Sequence, residues 1–449
     1  MASGVQGEQR NEKQEKPINR TIEVEQPQDR AVLVGAPTRD VSPGAADEHL
    51  EELQRLADTA GAAVTDVLRQ RLETPHPKYF IGEGKARELK ETVHAAGADV
   101  VIFDEDLSPA QGKNLEDLLG VRVMDRTELI LDIFATRART NEAQMQVELA
   151  QLEYLLPRLK RMWTHLSRIR GGIGLRGPGE TQLETDRRII SRRISDLRDK
   201  LEVVAQRRAT QRKGRSSEFQ AALVGYTNAG KSSILRTLSG SHLFVENRLF
   251  ATLDPATRQV HLPMGAKVLV SDTVGFIRKL PHDLVASFRA TLEEALGADV
   301  LLHVIDASHP GWEEQKQVVE EVLNEIGLGH RPVVLVFNKV DQLTHSEEAA
   351  LRVRVRALFS TPSVFVSAME ENGMDELLAR LEEEVRAQRP EVHVVIPAAD
   401  GEALATVYRE GEVIHQEQRD TVIDLFARLP RPILGRLQQR GGVVIHGAA

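Results

Sequence analysis

The chain has 449 residues, of which 41% are hydrophobic and 28% charged, and this length is too great for one hydrophobic core. It contains no cysteine, which excludes disulfides, thiolate catalysis and cysteine-based zinc sites. No apolar run reaches the ~18 residues of a membrane-spanning helix. The polar residues 1–28 lack the apolar segment of a secretory signal and are expected to form a disordered tail.

The net charge of −9 is unevenly distributed along the chain. Between Leu155 and Arg215 there are 17 Lys and Arg against 6 Asp and Glu, a local charge of +11, so the remainder carries −20. A basic segment on an acidic body indicates a local contact with a polyanion. A solvated basic surface is the alternative, and charge alone does not decide between the two.

Residues 29–138 alternate short apolar runs with helical patterns, which predicts an N-terminal α/β domain with mostly parallel strands. Strands are predicted at 31–34, 63–72, 99–103 and 121–124, and helices at 47–60 and 84–96. Ser108 and Pro109 predict the start of a third helix. We interpret the acidic residues 104–106 before it as a solvated turn.

Residues 139–213 carry two heptad patterns, which predict a basic coiled-coil hairpin of two antiparallel helices with a glycine-rich loop at 171–182. Pro157 predicts a kink in the first helix, and Pro178 and Gly179 are expected to delay the second. The seam residues are Met145, Leu149, Leu152, Leu156, Leu159, Trp163 and Leu166, then Ile190, Ile194, Leu197, Leu201 and Val204.

The loop contains Gly172-Ile-Gly-Leu-Arg-Gly177, a formal match to the GxGxxG dinucleotide fingerprint. That fingerprint follows a strand and opens a helix within a βαβ unit, whereas Gly172 follows a heptad helix. A nucleotide site is therefore predicted elsewhere in the chain.

A strand at 221–224 leads into Gly225-Tyr-Thr-Asn-Ala-Gly-Lys231-Ser232, which matches GxxxxGK[ST] and precedes a helix. Its glycines let backbone N–H groups turn toward a β-phosphate, and the helix N-terminus adds a positive dipole. We expect Lys231 to reach the β- and γ-phosphates and the Ser232 hydroxyl to bind Mg²⁺.

Further motifs follow in the order of a P-loop GTPase domain, which we place at 218–389. Asp272 to Gly275 form DxxG, in which the carboxylate holds Mg²⁺ through water and the Gly275 N–H senses the γ-phosphate. Asn338 to Asp341 form NKxD at the end of a buried strand. The Asp341 carboxylate can accept from guanine N1–H and the 2-amino group, which adenine lacks, and this predicts GTP.

GTP and Mg²⁺ are therefore the predicted cofactors, with Ser232 and Thr252 as metal ligands and Asp272 acting through water. Thr257 is a second candidate ligand. The predicted catalytic residues are Lys231, Thr252 and Gly275. The predicted nucleotide-binding residues are Gly225, Tyr226, Thr227, Asn228, Ala229, Gly230, Lys231, Ser232, Ser233, Phe250, Ala251, Thr252, Leu253, Asp254, Asp272, Thr273, Val274, Gly275, Asn338, Lys339, Val340, Asp341, Ser367, Ala368 and Met369.

Phe276 occupies the position after DxxG where many such enzymes carry a glutamine that orients the attacking water. A phenyl ring cannot hydrogen-bond water, so we expect weak intrinsic hydrolysis and a missing element supplied by a partner or a rearranged switch. Segments 250–258 and 272–290 are expected to be ordered by the γ-phosphate.

These motifs, together with Lys78-Tyr-Phe-Ile-Gly-Glu-Gly-Lys85 and the loop and helix of residues 171–188, resemble the HflX family of ribosome-associated GTPases over about residues 30–430. The resemblance implies a bacterial cytosolic GTPase that binds the large ribosomal subunit and splits or rescues stalled ribosomes under stress such as heat shock. It also implies that the hairpin loop enters the peptidyl-transferase region. Ser233 and Ala256 depart from the family pattern, in which threonine is usual.

The expected partner is therefore the large ribosomal subunit and its RNA, with no DNA and no membrane insertion. We expect a cytoplasmic monomer, with peripheral membrane association left open. The predicted RNA-binding residues are Arg168, Arg170, Gly174, Arg176, Gly177, Gly179, Arg187, Arg188, Arg192 and Arg193.

Residues 390–449 predict a small C-terminal α+β domain, with strands at 392–396, 411–416 and 442–446 and a helix at 423–429. Three other functions stay open beside the ribosomal one. They are a GTP-switched RNA-binding regulator or scaffold, an RNA-modifying enzyme with a G domain as switch, and an RNA helicase. The NKxD motif argues against ATP use by a helicase, and Phe276 gives the scaffold some support.

Overall fold

The computed structural model describes the backbone of residues 28–39, 41–162, 178–213, 218–240, 249–250, 253, 256–263, 265–280, 295–419 and 421–447. It describes the side chains of the same residues except those of 160–162, 178–183, 208–213 and 431–432. Nearly all of the predicted tail at 1–28 lies outside these ranges. Within them, no helix is both long enough and apolar enough to span a membrane.

The N-terminal domain is a four-stranded parallel sheet in the order β2-β1-β3-β4 with helices on both sides. All four residues of β3 are buried, which explains their unbroken apolar run in the sequence. The strands are β1 Arg30–Gly35, β2 Ala63–Arg69, β3 Val100–Phe103 and β4 Arg122–Asp125. The helices are α1 Pro43–Thr59, α2 Glu83–Ala96, α3 Pro109–Leu119 and α4 Arg126–Arg137.

Two long helices follow, α5 Asn141–Met162 and α6 Pro178–Lys213. They pack through Leu149, Ile194 and Leu197, which lie on the heptad seams. Helix α5 continues through Pro157. The expectation that Pro178 delays the second helix was wrong, because α6 begins at that residue. Proline is favoured at the first helical position, where a backbone N–H has no intrahelical partner.

The central domain is a six-stranded sheet in the order β10-β9-β8-β5-β7-β6, parallel except for β6 at one edge. The parallel strands end at one edge of the sheet, where α/β folds bind ligands. The strands are β5 Phe219–Gly225, β6 Ala256–His261, β7 Lys267–Asp272, β8 Val300–Asp306, β9 Val333–Asn338 and β10 Ser363–Phe365. The helices are α7 Lys231–Ser239, α8 Trp312–Glu325, α9 His345–Leu358 and α10 Asp375–Gln388.

The C-terminal domain is an antiparallel sheet in the order β12-β13-β11-β14, with two helices. The helix predicted at 423–429 was wrong, because this segment is a strand. Ile423, Leu425 and Ala427 are buried at alternate positions, as a strand with one covered face requires. The elements are β11 Glu391–Pro397, α11 Gly401–Glu410, β12 Glu412–Arg419, β13 Val422–Arg428, α12 Arg431–Gln438 and β14 Val444–His446.

The N-terminal and central domains share one hydrophobic core. Leu53 and Phe134 from the first domain lie in the same buried cluster as Phe250 and Phe276 from the second. The rings of Phe134 and Phe250 meet edge to face, with centroids 4.5 Å apart. Segments flanking the nucleotide motifs are therefore packed directly against the N-terminal domain.

A buried set of charges crosses the same junction. Arg126 is fully buried, pairs with Glu52, and donates through Nη1 to Asp104 Oδ1 at 2.7 Å. From the central domain, two cations donate to Asp104 Oδ2: Arg278 Nη2 at 2.9 Å and Lys279 Nζ at 3.2 Å. The expectation of a solvated turn at 104–106 was therefore wrong for Asp104.

The charge of Asp104 is stabilised within this cluster. Burial acts to raise the pKa of its carboxyl, but the cations of Arg126, Arg278 and Lys279 outweigh burial and hold that pKa below its usual value. Asp104 is therefore an anion at neutral pH. Removing one buried cation would leave a carboxylate inadequately paired.

Replacing Arg126 by alanine is expected to lower the free energy of unfolding by about 3–5 kcal/mol, because it leaves Glu52 and Asp104 short of a buried cation. Urea denaturation followed by circular dichroism would measure this loss. Arg39→Ala is the matched control, since its ion pair with Glu73 is exposed and should contribute little. Equal midpoints for the two variants would contradict a stabilising role of the buried pairs.

Candidate nucleotide-binding site

The P-loop joins the end of β5 to the start of α7, and two of its glycines are required by close packing. A Cβ on Gly225 would lie 2.3 Å from the Val304 carbonyl oxygen, and one on Gly230 would lie 2.2 Å from Asn338 Nδ2. Both glycines also have positive φ, 153° and 95°. The loop can therefore turn here only with glycine.

Lys231 is buried beneath this loop. Its Nζ donates to the carbonyl oxygens of Gly225 at 3.1 Å and Tyr226 at 2.8 Å. An ammonium group has three N–H donors, so the loop engages two of them. Burial lowers the pKa of Lys231 to about 8, while the nearby Asp272 acts to raise it.

The Ser232 hydroxyl predicted to bind Mg²⁺ and the Asp272 carboxylate predicted to hold it through water lie together, at the start of α7 and the end of β7. The Ser232 hydroxyl donates to Asp272 Oδ2 at 2.6 Å, and Asp272 is buried. A hydroxyl beside a carboxylate is a donor set suited to a hard divalent cation. Thr257 does not join them, because its hydroxyl bonds Ser271 at 2.8 Å between β6 and β7. Thr252 lies outside the described residues.

The DxxG segment is hydrogen-bonded to the P-loop backbone. The Phe276 N–H donates to the Gly225 carbonyl at 3.1 Å, and the Thr227 N–H donates to the Phe276 carbonyl at 2.7 Å. A Cβ on Gly275 would lie 2.8 Å from Thr227 Cα and 3.1 Å from Lys231 Nζ. Gly275 is thus packed closely against Lys231, while the Phe276 ring is fully buried in the shared core.

The two predicted guanine-binding segments are tied to each other and to the P-loop. Asn338 Nδ2 donates to the Ala229 carbonyl at 2.9 Å. Asp341 Oδ1 accepts from the Ser367 hydroxyl at 2.6 Å, and the Met369 N–H donates to that hydroxyl at 3.2 Å. Lys339 has a left-handed φ of 67°, and its Nζ contacts Asp306 Oδ2 at 2.5 Å.

Several other predicted nucleotide-binding residues differ in their surroundings. Asn228 is exposed with a φ of 61°, whereas Phe250 is buried and its N–H donates to Thr227 Oγ1 at 3.0 Å. The Thr273 hydroxyl donates to the Leu223 carbonyl at 2.7 Å and so supports the strand. Outside the described residues lie Ala251, Thr252 and Asp254.

Sequence reasoning missed the residues that brace this site from the N-terminal domain. The side chain of Tyr226, predicted only as a nucleotide contact, bonds Glu52. Glu52, Asp104 and Arg126 had no assigned role, although an acid at the end of β3 and the cations after DxxG are complementary in charge. That complementarity was the only signal in the sequence.

The predicted RNA-binding residues are described only on α6. Arg187, Arg188 and Arg192 are exposed and make no ion pair within the described part of the chain. Arg193 instead forms a two-pronged pair with Glu148, at 2.7 and 2.8 Å. Gly179 lies in the first turn of α6. Outside the described residues lie Arg168, Arg170, Gly174, Arg176 and Gly177.

Comparison with known proteins shows similarity along most of the chain. Three family models match, described as GTP-binding GTPase N-terminal at 47–135, GTP-binding GTPase middle region at 137–215 and 50S ribosome-binding GTPase at 220–339. The chain is 43% identical to GTPase HflX of Magnetococcus marinus, covering 94% of this chain and 98% of the relative. It is 45% identical to GTPase HflX of Escherichia coli, covering 85% and 90%.

Among solved structures, a GTP-binding protein of Sulfolobus solfataricus in complex with GDP is 26% identical to this chain, with a TM-score of 0.43. The similarity covers 80% of this chain and 98% of that one.

Affinity for GDP is expected to fall as pH rises above about 8, by up to roughly tenfold per pH unit. Since the pKa of Lys231 is about 8, the lysine is charged below that pH and must take up a proton to bind phosphate above it. Binding titrations with a fluorescent GDP analogue at several pH values on both sides of 8 would measure this change in affinity. In Lys231→Ala this fall in GDP affinity near pH 8 should disappear, whereas any pH dependence from titration of the nucleotide itself should remain. The same fall in affinity near pH 8 in Lys231→Ala would show that another group causes it.

Proposed function

Because this chain belongs to the HflX family and is a P-loop GTPase, we propose that it acts on ribosomes. In this proposal it is a Mg²⁺-dependent enzyme that binds the large subunit and splits or rescues stalled ribosomes under stress such as heat shock. Intrinsic GTP hydrolysis is weak, and the ribosome stimulates it.

The observation that carries the ribosomal part is the exposed basic face of α6, which makes no ion pair within the described part of the chain. Arg188 and Arg192 lie four residues apart, so they project from one side of the helix, away from the seam residues Ile194 and Leu197. Exposed arginines with no internal carboxylate partner are suited to RNA phosphates. The name of the family model at 220–339, a 50S ribosome-binding GTPase, supports the same partner.

The nucleotide site supplies the groups that phosphoryl transfer needs. Lys231 keeps one N–H donor for the phosphates, and Gly275 is packed closely against Lys231 and Thr227. Ser232 and Thr252 would hold Mg²⁺ directly, and Asp272 would hold it through water. When bound, the ion neutralises charge on the β- and γ-phosphates.

Slow intrinsic turnover follows from the position of Phe276. Its ring is fully buried and cannot orient a water molecule. In the segment after DxxG the two cations, Arg278 and Lys279, both bond Asp104 of the N-terminal domain. Hydrolysis therefore depends on a partner or a rearranged switch, and activators of related enzymes raise rates by about 10³–10⁵.

A GTP-switched regulator or scaffold without ribosome-coupled turnover is the second candidate function. The burial of Phe276 favours it, because that residue contributes nothing to hydrolysis in this arrangement. The two candidates differ in whether large subunits accelerate GTP turnover.

Asp341→Asn is expected to weaken GTP binding and to favour XTP. The carboxylate can accept from the guanine 2-amino group, whereas an asparagine amide can donate to the 2-oxo group of xanthine. Competition binding with GTP, XTP and ATP would measure the exchange. Ser367, which bonds Asp341 Oδ1, offers a matched test: Ser367→Ala should weaken GTP without favouring XTP. Unchanged GTP preference in Asp341→Asn would contradict the assigned role.

Large subunits are expected to stimulate GTP turnover of the intact chain strongly, and deletion of 174–179 is expected to remove that stimulation. Turnover would be measured with the purified protein alone, with ribosomes and with isolated large subunits. No stimulation, with GTP still tightly bound, would reject ribosome-coupled hydrolysis and favour the scaffold.

Replacing Arg188 and Arg192 by alanine is expected to weaken large-subunit binding and to reduce its dependence on salt by about one unit of slope per arginine. The matched control replaces Arg193 and Arg198, which already pair with Glu148 and Glu153. Sedimentation with subunits at several salt concentrations would compare the two. Equal losses would show that the exposed basic face has no special role.

A further inference from the structure

One hydroxyl group joins three parts of the molecule at the nucleotide site. The Tyr226 hydroxyl, carried by the P-loop, donates to a Glu52 carboxylate oxygen in helix α1. It also accepts from the backbone N–H of Arg278, in the segment after DxxG, at 2.8 Å. Tyr226 is buried, so water does not compete for these bonds.

The backbone of the same residue contacts the catalytic lysine. The Tyr226 carbonyl accepts from Lys231 Nζ at 2.8 Å, the shorter of the two bonds that the lysine makes to the loop. A shift of Tyr226 would therefore move the ammonium group and the one N–H donor left for phosphate. The position of the Tyr226 side chain is therefore coupled to the direction in which the Lys231 ammonium group points.

The Arg278 N–H connects the hydroxyl to the other catalytic element. Arg278 follows Gly275 by three residues, and Phe276 between them is paired with the P-loop backbone. The Tyr226 hydroxyl therefore limits how far Gly275 can move from Lys231. P-loop and DxxG segment are held in one relative position by a bond outside the phosphate site.

The N-terminal domain fixes the far end of this linkage. Glu52 pairs with the fully buried Arg126, whose Nε donates to the Arg278 carbonyl at 3.2 Å. Burial and the charge of Glu52 raise the pKa of Tyr226, so the phenol keeps its proton and donates it. Both neighbours of the hydroxyl are thereby anchored to one buried arginine.

We propose that Tyr226 and Glu52 are positioning residues for GTP hydrolysis, which set the distance between Lys231 and Gly275 from the N-terminal domain. The proposal concerns the GTP hydrolysis step itself and does not depend on ribosome binding. A displacement of about 1 Å at a catalytic group can cost as much as roughly 100-fold in rate. Loss of a bond that fixes both Lys231 and Gly275 is therefore expected to slow hydrolysis.

The test is single-turnover GTP hydrolysis by full-length Tyr226→Phe, Glu52→Ala and the double variant, without ribosomes. Each single change should slow hydrolysis roughly tenfold, a larger factor than the accompanying loss of GDP affinity. The double variant should be no slower than the slower single variant, because both changes break one linkage. Tyr154→Phe is the matched control, since its hydroxyl bonds Asp125 at 2.9 Å within the N-terminal part of the chain.

Three results would overturn the proposal. The first is a rate for Tyr226→Phe equal to that of Tyr154→Phe. The second is multiplicative slowing in the double variant, which would mean that the two residues act independently. The third is a parallel loss of GDP affinity and thermal stability with rate, which would reduce Tyr226 to a folding contact.

Discussion

The rest of the structure depends on the burial of the Arg126 guanidinium at the junction of two domains. A fully buried cation must be paired, and its partners are Glu52, Asp104 and the Arg278 carbonyl. The first two lie in the N-terminal domain and the third follows DxxG. Separating the two domains would take the Arg278 carbonyl away from Arg126, and the Arg278 and Lys279 cations away from Asp104. The nucleotide site is therefore built against the N-terminal domain as well as within its own sheet.

This constraint gives a physical reason for the proposed weak intrinsic hydrolysis and its stimulation by a partner. The ring of Phe276 and the cations of Arg278 and Lys279 all face the junction, so no side chain of that short segment is left to organise water. Three residues separate the end of α4 from the start of α5, and Phe134 of α4 packs on Phe250. In this proposal, RNA bound to the hairpin would act on the N-terminal domain, which packs against the segment after DxxG.

The sequence predicted what local backbone chemistry determines. The glycines, Lys231 and Ser232 lie in one short loop, and membership of the HflX family is confirmed, as is an α/β chain with a P-loop GTPase domain. The contacts of Glu52 with Tyr226 and of Asp104 with Arg278 and Lys279 escaped prediction because each pair lies 174 or 175 residues apart in sequence. The strand at Val422–Arg428 was taken for a helix because a short apolar run fits both periods until its pairing partners are known.

Amide hydrogen exchange on adding a non-hydrolysable GTP analogue tests most directly whether the N-terminal domain is part of the nucleotide site. If it is, protection should change at 274–280 and, in the same titration, at Glu52 and around Asp104, which bond that segment. The change should have one midpoint across both domains. Protection changes confined to residues 218–389, with the N-terminal domain unaffected at saturation, would contradict this account.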